Sequence, residues 1–592
     1  MGIIVQKFGG TSVANADKIQ SAARRAIRAQ QDGNQVVMVV SAMGHQTDYL
    51  VDLAKQICDD PPAREMDMLL STGEQVSVAL MAMAIHALGY EAVSLTGGQI
   101  GIRTDSTHTK ARIQSISTER MKKLLDDGKI VIAAGFQGID EDYNITTLGR
   151  GGSDTTAVAL AAVLNADVCE IYTDVDGVYT TDPRIVADAR KLSRVSHDEI
   201  LELASLGAGV MHSRSIEFGK KFNVPIHVRN SGSFSDEPGT IIGSVSESAD
   251  RAVSGAALTK NEAQITIAGV PDTPGSSLTI FSKLAAINVA VDMIVQNIGA
   301  EGRADISFTV LEDELPKALA AVEKAAKELK AEGVTHNANL AKVSIVGLGM
   351  KTQTGVADRM FRVLADEGIN IEAITTSDIK VSALIARDRA LDALRAVHAE
   401  FELDKPPGDR VAFGELPHAS KDASPIDIVA RLQRMEDLTI DSISLDESQA
   451  QLTLFDVPDR PGIAATIFEA IARENVLVDM IVQSMGRDDL ADVSCTVPRK
   501  ELDHSLSVVN KLAAELGGEV TYEPAVAILT VTGIGIRSHT GVGLRMFKAL
   551  TEAKINVEMV STSEVRVNMV VAADKAKAGL AALKYAFADV LA

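Results

Sequence analysis

Tryptophan is absent from this 592-residue chain, and aromatic residues make up only 4% of it. With 46% hydrophobic residues, its cores must be packed from aliphatic side chains, the texture of sheets covered by helices. Cysteine is scarce too. Cys58, Cys169 and Cys495 lie far apart and form no CxxC pair, which argues against a disulfide framework and a zinc site and fits a reducing compartment. Positive charge is in deficit: 58 Lys and Arg face 80 Asp and Glu, for a net charge of −22. That leaves no basic face for a phosphate backbone, so nucleic acid is not an expected partner. No run of about 18 apolar residues occurs, and an aliphatic stretch beginning at Ile3 leaves no room for a secretory leader. The expectation is a cytoplasmic protein with no membrane partner, divided into roughly three to five domains.

The first 245 residues or so alternate short aliphatic runs, at 35–41, 91–95, 129–135, 168–173 and 224–228, with helical stretches. Alternation of this kind predicts a mostly parallel sheet with helices on both faces, which binds ligands beyond the carboxyl ends of its strands. Polar or glycine-rich segments follow those ends: Ser41-Ala42-Met43-Gly44, Thr96-Gly97-Gly98, Gly135-Phe136-Gln137-Gly138 and Thr173-Asp174-Val175-Asp176-Gly177. The chain itself opens on such a junction, Ile3-Ile4-Val5-Gln6-Lys7-Phe8-Gly9-Gly10-Thr11-Ser12. Backbone N–H groups at a strand-to-glycine turn, with a lysine beside them, make a phosphate cradle; an ordinary strand, turn and capped helix would read the same way.

Past a Ser-, Gly- and Asp-rich stretch at 231–248 the texture changes to an internal repeat. Gly269-Val270-Pro271-Asp272-Thr273-Pro274-Gly275 returns 187 residues later as Asp456-Val457-Pro458-Asp459-Arg460-Pro461-Gly462, and Val291-Asp292-Met293-Ile294-Val295-Gln296 returns as Val478-Asp479-Met480-Ile481-Val482-Gln483. A second set returns at an offset of 186: Thr354-Gly355-Val356 as Thr540-Gly541-Val542, and Ile369-Asn370-Ile371-Glu372 as Ile555-Asn556-Val557-Glu558. Each half of the repeat therefore holds two modules, each with the strand–helix–strand–strand–helix–strand order of a ferredoxin-like unit. Residues 404–425, with Pro406-Pro407-Gly408, Pro417 and Pro425 among charges, read as a linker, and 426–436 as a docking helix.

Three further blocks join Lys7-Phe8-Gly9-Gly10-Thr11-Ser12: Leu69-Leu70-Ser71-Thr72-Gly73-Glu74, Thr147-Leu148-Gly149-Arg150-Gly151-Gly152-Ser153-Asp154-Thr155-Thr156, and the segment from Tyr172 to Arg184. In order and spacing the four resemble the aspartokinases of the amino-acid kinase superfamily, and the repeat resembles that family's C-terminal ACT modules. The resemblance implies an α/β fold: a three-layer amino-acid kinase domain with a mostly parallel sheet, then four ferredoxin-like (βαββαβ) ACT modules in two pairs. The expected division is a catalytic domain at 1–247, a first module at 262–336, a second at 337–403 with a strand from 253–260, linker and docking helix at 404–439, a third module at 448–520, and a fourth at 521–592 with a strand from 440–447.

The implied activity is transfer of a phosphoryl group from ATP, with Mg2+, to the β-carboxylate of L-aspartate, giving 4-phospho-L-aspartate. This is the first step of lysine, threonine and methionine biosynthesis. A carboxylate is already ionised at neutral pH, so this transfer needs charge neutralisation and in-line positioning more than a base. Lys7 with the Gly9 and Gly10 backbone would supply the first. Arg150 is a bidentate fork for the substrate's α-carboxylate, and Glu74 an acceptor for its α-ammonium. By resemblance Ser41 and Thr47 also line the aspartate pocket, Asp154 sits near the transferring group, and Thr173, Asp174, Tyr179, Asp182 and Arg184 bind nucleotide. Asp154 would equally serve as N-cap of a helix starting at Thr155. His212-Ser213-Arg214-Ser215, which departs from the family pattern, is expected to touch no residue with a catalytic role, with His212 packed or capping. No metal ligands are assigned.

The Pro-Asp-x-Pro-Gly turns leave free N–H groups at a helix start for an effector's carboxylate, and an Asp for its ammonium. Resemblance places effector pockets where a first module meets a second, which marks Asp272, Gln296, Asn370 and Ile371, with Asp459, Gln483, Asn556 and Val557 as the duplicate set. The expected effectors are lysine, threonine or both, and the expected assembly is a homo-oligomer, a dimer through the ACT modules. Rival readings are a kinase of glutamate, acetylglutamate or a nucleotide on the same fold, and a non-catalytic amino-acid sensor.

Overall fold

In the computed structural model, residues 2–208, 210–232, 237–247, 251–298, 302–407, 438–474, 476–485, 490–536 and 541–591 are described; the expected docking helix at 426–436 and most of the linker lie outside them.

The amino-terminal half is built on an eight-stranded sheet. Its strands and the helices that matter for the site are β1 (Ile3–Phe8), β2 (Gln35–Val40), α1 (Ala63–Ala87), β3 (Ala92–Leu95), β4 (Ile130–Ala134), α2 (Gly152–Leu164), β5 (Val168–Thr173), β6 (Arg194–Ser196), α3 (His197–Leu203), α4 (Ser213–Phe222), β7 (Ile226–Asn230) and β8 (Thr240–Gly243). The order across the sheet is β6-β8-β7-β5-β1-β2-β4-β3, and every neighbouring pair is parallel except β7 with β8. Both faces are covered, so the central strands are apolar along their length: all five residues of β4 are buried. Parallel register brings the carboxyl ends of β1, β2, β4 and β5 to one edge, where Lys7 stands opposite Val39 and Ile171. A four-stranded sheet of Ile113–Ile116, Ile102–Thr104, Gln137–Ile139 and Ile145–Thr147 sits beyond that edge and delivers the chain to Gly149.

α1 is long and apolar enough to cross a membrane by length and composition alone. It also carries two buried carboxylates, Asp67 and Glu74, on the face turned inward, which marks it as a helix of the protein core.

The carboxyl-terminal half forms one twelve-stranded antiparallel arrangement. Strand Gly255–Pro271 serves two modules: residues 255–259 pair with 342–346, and 264–267 pair with 306–309. Thr439–Pro458 repeats the device, with 442–446 pairing with 528–532 and 450–454 with 493–497. The helices follow a different partnership. Ser276–Ala286 of the first module packs against Gly541–Glu552 of the fourth, with the Phe281 and Phe547 rings 5.2 Å apart, and Val356–Asp366 of the second packs against Ile463–Arg473 of the third, with Phe361 and Phe468 at 5.6 Å. Modules joined by a shared strand are thus one-with-two and three-with-four, while helix faces meet one-with-four and two-with-three.

Two elements of the amino-terminal half dock on this half. Glu202 of α3 meets Lys380 at 3.0 Å and accepts the Glu564 N–H at 2.9 Å, and Thr180 is hydrogen-bonded to His398 at 3.1 Å.

Candidate active site and effector sites

At the end of β1 the Lys7 ammonium lies 2.6 Å from Asp154 Oδ1, both side chains only about one-eighth exposed (12% and 13%). Gly9 and Gly10 leave room around it. A β-carbon on Gly9 would stand 3.5 Å from Lys7 Nζ, and one on Gly10 would come within 2.9 Å of the Ala42 carbonyl and 3.0 Å of that of Gly44. Close backbone approach therefore requires glycine at position 10, and the Gly44 N–H donates to the Gly10 carbonyl at 2.9 Å. Asp154 is not the N-cap. α2 starts at Gly152 behind Gly151, which holds φ +69 as the cap, so Asp154 lies within the first turn, where a helix favours negative charge. The helix starts earlier than the sequence suggests because Gly151 permits the left-handed entry.

Glu74 of α1 is buried. One carboxylate oxygen accepts the Ala42 N–H at 3.1 Å, and the other is buried with no hydrogen-bond partner among the described residues. Burial pushes its pKa up to about 7, against the smaller opposing pull of the Ala42 N–H. Such a group is poised for a cation: an ammonium arriving beside it restores the charge that burial penalises. Arg150 is exposed in the loop Gly149-Arg150-Gly151, whose glycines hold φ +80 and +69. Ser41 follows β2, its N–H on the Phe8 carbonyl at 3.1 Å, and Thr47 is half-buried in the first turn of the helix Gln46–Ile57.

The His212 segment packs beside the Arg150 loop, on residues to which no catalytic role is assigned. A β-carbon on Gly151 would fall 2.2 Å from His212 Cβ, and Arg214 donates to the carbonyls of Leu148 at 2.6 Å and Ala111 at 2.7 Å. His212 also caps α4, accepting the Arg214 N–H at 3.4 Å.

The expected nucleotide segment runs from the end of β5. The Thr173 carbonyl accepts the Ser231 N–H at 2.7 Å, and the Thr173 hydroxyl donates to Asp174 at 3.2 Å. Tyr179 donates to Asp176; burial first, then the Asp176 charge, raises the phenol's pKa. Asp182 and Arg184 pair with each other at 2.8 Å, so Arg184 reaches outward, 88% exposed. Among the described residues no cluster of three or more His, Cys, Asp or Glu could hold a metal ion.

The effector candidates fall into two groups, but exchanged between the sets. Asp272 Oδ1 accepts from Asn556 at 2.8 Å and Gln296 at 3.4 Å, and Val557 belongs to the same core as Phe281. Asp459 accepts from Asn370 at 2.9 Å, and Gln483 donates to the Ile371 carbonyl at 2.9 Å. Each group carries a second carboxyl that sequence reasoning passed over: burial pushes Glu558 up to about 7, helped by Glu523 and Asp272, and pushes Glu372 upward, helped by Asp459.

Also unforeseen is a cavity of about 380 Å³ between the second and third modules, lined by Gln353 to Asp358, Thr376 to Asp378, Gln449 and Asp479 among others. Its repeat-mate between the first and fourth modules, lined by Asp292, Phe281, Phe547, Thr562 and Ser563, has only about 100 Å³. The charge differs as well. Lys342 puts its ammonium 2.7 Å from both Glu262 and Asp292, whereas the repeat positions are Ile528, Gln449 and Asp479. With no lysine at the repeat position, burial and then Asp446 raise the pKa of Asp479.

Comparison with known proteins follows the same division. The amino acid kinase family matches residues 2–230, and an ACT domain matches at 265–326, 343–401, 456–512 and 529–587. Aspartokinase 2 of Bacillus subtilis (strain 168) is 52% identical over 408 residues, which cover 69% of this chain and 99% of that protein. The crystal structure of aspartate kinase from Synechocystis is 39% identical with a TM-score of 0.52, covering 99% of this chain and 98% of that one. That of E. coli aspartokinase III in complex with aspartate and ADP is 25% identical with a TM-score of 0.58, covering 67% and 99%. With an amino acid kinase domain followed by four ACT domains, and about half its residues shared with aspartokinases over most of its length, the chain belongs to the aspartokinase family.

Proposed function

We propose that this aspartate kinase transfers the γ-phosphoryl group of ATP to the β-carboxylate of L-aspartate, the first step toward lysine, threonine and methionine, and that amino acids bound at the ACT modules inhibit it. The observation that carries the reading is that the glycine turn following Lys7, itself paired with Asp154, and the buried carboxylate of Glu74, whose second oxygen has no hydrogen-bond partner among the described residues, both pack on the segment Ser41–Gly44. The likeness to the E. coli enzyme solved with aspartate and ADP supports the substrates. A β-carboxylate oxygen attacks the γ-phosphorus, the bond to the β,γ-bridging oxygen breaks, and ADP leaves with that electron pair; no proton need move. Lys7 and the Gly9–Gly10 backbone offset the charge on the transferring group, Asp154 holds Lys7 in place, and Thr173, Asp174, Tyr179, Asp182 and Arg184 seat the nucleotide. Mg2+ fits as a passenger on the ATP phosphates, since the protein offers no cage of its own among the described residues. Arg150 holds the α-carboxylate and Glu74 the α-ammonium, with Ser41 and Thr47 beside them. ADP release measured with aspartate against glutamate, acetylglutamate and nucleotide acceptors tests the assignment. Turnover with glutamate alone would reject it, and no turnover with any acceptor would favour the sensor reading.

Glu74 makes aspartate binding pH-dependent. Its carboxyl must be ionised to hold an ammonium, and the empty site binds a proton below about pH 7. Binding then releases that proton, so the KM for aspartate should rise about tenfold per pH unit below 7 while the KM for ATP stays flat. The same shift, from 4.5 to about 7, makes the ionised group a burden on the unliganded fold that is absent below pH 4.5 and complete above 7, about 3 kcal/mol at most. Glu74→Gln should therefore raise the melting temperature at pH 8 while weakening aspartate binding. A less stable variant at that pH would contradict the buried, unpaired state of Glu74.

Lysine, threonine or both are the proposed effectors, with the two crossed interfaces as their sites. Asp272→Ala should relieve inhibition, and Asn556→Ala, across the same interface, should relieve inhibition by the same amino acid. Asp459→Ala and Asn370→Ala should form the other matched pair. Inhibition curves for both amino acids on the four variants check this; matching of Asp272 with Asn370 instead would reject the crossed assignment. The three thiols, unpaired in the fold, fit a cytoplasmic enzyme. A homodimer is the proposed assembly, read out by light scattering.

A further inference from the structure

The Arg150 loop is held from a direction that the catalytic assignments do not use. Asp67, in the second turn of α1, is fully buried, and its two oxygens collect four hydrogen bonds: from His108 Nδ1 at 2.7 Å, from the Thr109 N–H at 3.0 and 3.1 Å, and from the Thr147 hydroxyl at 2.5 Å. A buried carboxylate so supplied fixes whatever donates to it. Here the donors are two chain segments that frame the loop. Thr147 leads into Leu148-Gly149-Arg150, and Thr109, held at φ +66 where a side chain is strained, places its carbonyl 3.0 Å from where a β-carbon on Gly149 would lie. The Ala111 N–H closes the frame on the Thr147 carbonyl at 2.9 Å, and Arg214 ties the opposite side through its bonds to Leu148 and Ala111.

Asp67 and Glu74 are seven residues apart on one helix. Two turns return the chain to the same face, so both carboxylates point the same way, about 10 Å apart along the axis. α1 therefore carries the acceptor for the substrate's ammonium at one point and, at another, the anchor of the loop bearing its carboxylate fork.

We propose that Asp67 is a positioning residue for the substrate: through Thr147 and Thr109 it sets the Arg150 fork at a fixed distance from Glu74, so that one rigid helix gauges the ammonium-to-carboxylate spacing of the amino acid. This rests on the reading of Arg150 as the α-carboxylate fork. A carboxylate that merely stabilised the core would affect both substrates alike; one that positions Arg150 affects aspartate alone.

Steady-state kinetics on the full chain test it with Asp67→Asn, Thr147→Val, Thr147→Ser, Arg150→Ala and the double variant Asp67→Asn/Arg150→Ala. Asp67→Asn should raise the KM for aspartate about 10–100-fold, with the KM for ATP within about twofold of the parent and kcat little changed. Thr147→Val, the milder variant should Asp67→Asn fail to fold, should move the same constant in the same direction, and Thr147→Ser, which keeps the hydroxyl, should restore it. In the Arg150→Ala background Asp67→Asn should add nothing, because the anchor then has no fork to place. If Arg150→Ala alone keeps the parent KM for aspartate, the fork reading falls and the proposal with it. If Arg150→Ala is defective while Thr147→Val is not, or the losses fall equally on ATP, or the double variant is additive, the fork stands and the positioning role is overturned.

Discussion

Lys7→Ala should lower turnover at least about a thousandfold while the kinase domain stays folded. In the transfer step, charge gathers on the phosphoryl oxygens, and Lys7 is the cation that the fold brings to the end of β1, in register with Val39 and Ile171. Lys18, the other lysine nearby in sequence, is engaged at the Thr11 carbonyl at 2.7 Å. The substitution also strands Asp154, 13% exposed, beside the glycine turn, and removing one partner of a largely enclosed pair costs more than the pair contributes. A lower melting temperature should therefore accompany the lost activity. The double variant Lys7→Ala/Asp154→Ala separates the two effects: stability should return toward the parent and turnover should not. Coupled ADP release and thermal melting read both. Parent-like activity in Lys7→Ala would remove the phosphate cradle from the mechanism.

What could be read from the chain beforehand divides along a physical line. The aliphatic runs at 35–41, 129–135 and 168–173 became β2, β4 and β5 because a strand covered on both faces has no polar side to show, and parallel register then had to collect the segments after them at one edge. α2 starts three residues before the Thr155 that the sequence suggests, since an Asp before a Thr reads as a cap while Gly151, entering through the left-handed region, leaves no such signal. The contact of His212 with Gly151 depends on how α4 packs on α2, which no local pattern records. The exchange of effector partners was hidden for a different reason. Asn370 and Asn556 sit in the same motif one repeat apart, so sequence alone offers Asp272 two equal partners. Only the packing of helix Ser276–Ala286 on Gly541–Glu552 chooses between them. The cavity at Asp479 is not legible in the motifs either, because it forms only where the second module packs on the third.

The other large effect is expected where the two halves of the molecule meet. Lys380, in the strand Lys380–Ala386 of the second module, and Glu202 of α3 are 2% and 0% exposed, with 3.0 Å between Nζ and Oε2. The second Glu202 oxygen accepts the Glu564 N–H from the fourth module at 2.9 Å, and one turn earlier Glu199 takes the Ser254 hydroxyl and the Leu348 N–H, the latter at 3.4 Å. One helical stretch of the kinase domain is thus held by modules from both halves of the repeat. Lys380→Met keeps the bulk of the side chain and removes the charge, leaving a carboxylate buried without its cation, and should cost about 3–5 kcal/mol. Urea denaturation at pH 7.5 measures it. The deficit should shrink as the pH falls, since a stranded carboxylate favours the protonated form and the penalty applies only to the ionised one. Glu202→Leu/Lys380→Met, with neither charge, should recover most of the loss, because what destabilises the single variant is the uncompensated ion, not the absence of an attraction. A Lys380→Met protein as stable as its parent at pH 7.5 would mean that water reaches Glu202, and the contact would then be a solvated seam between domains instead of a dry joint.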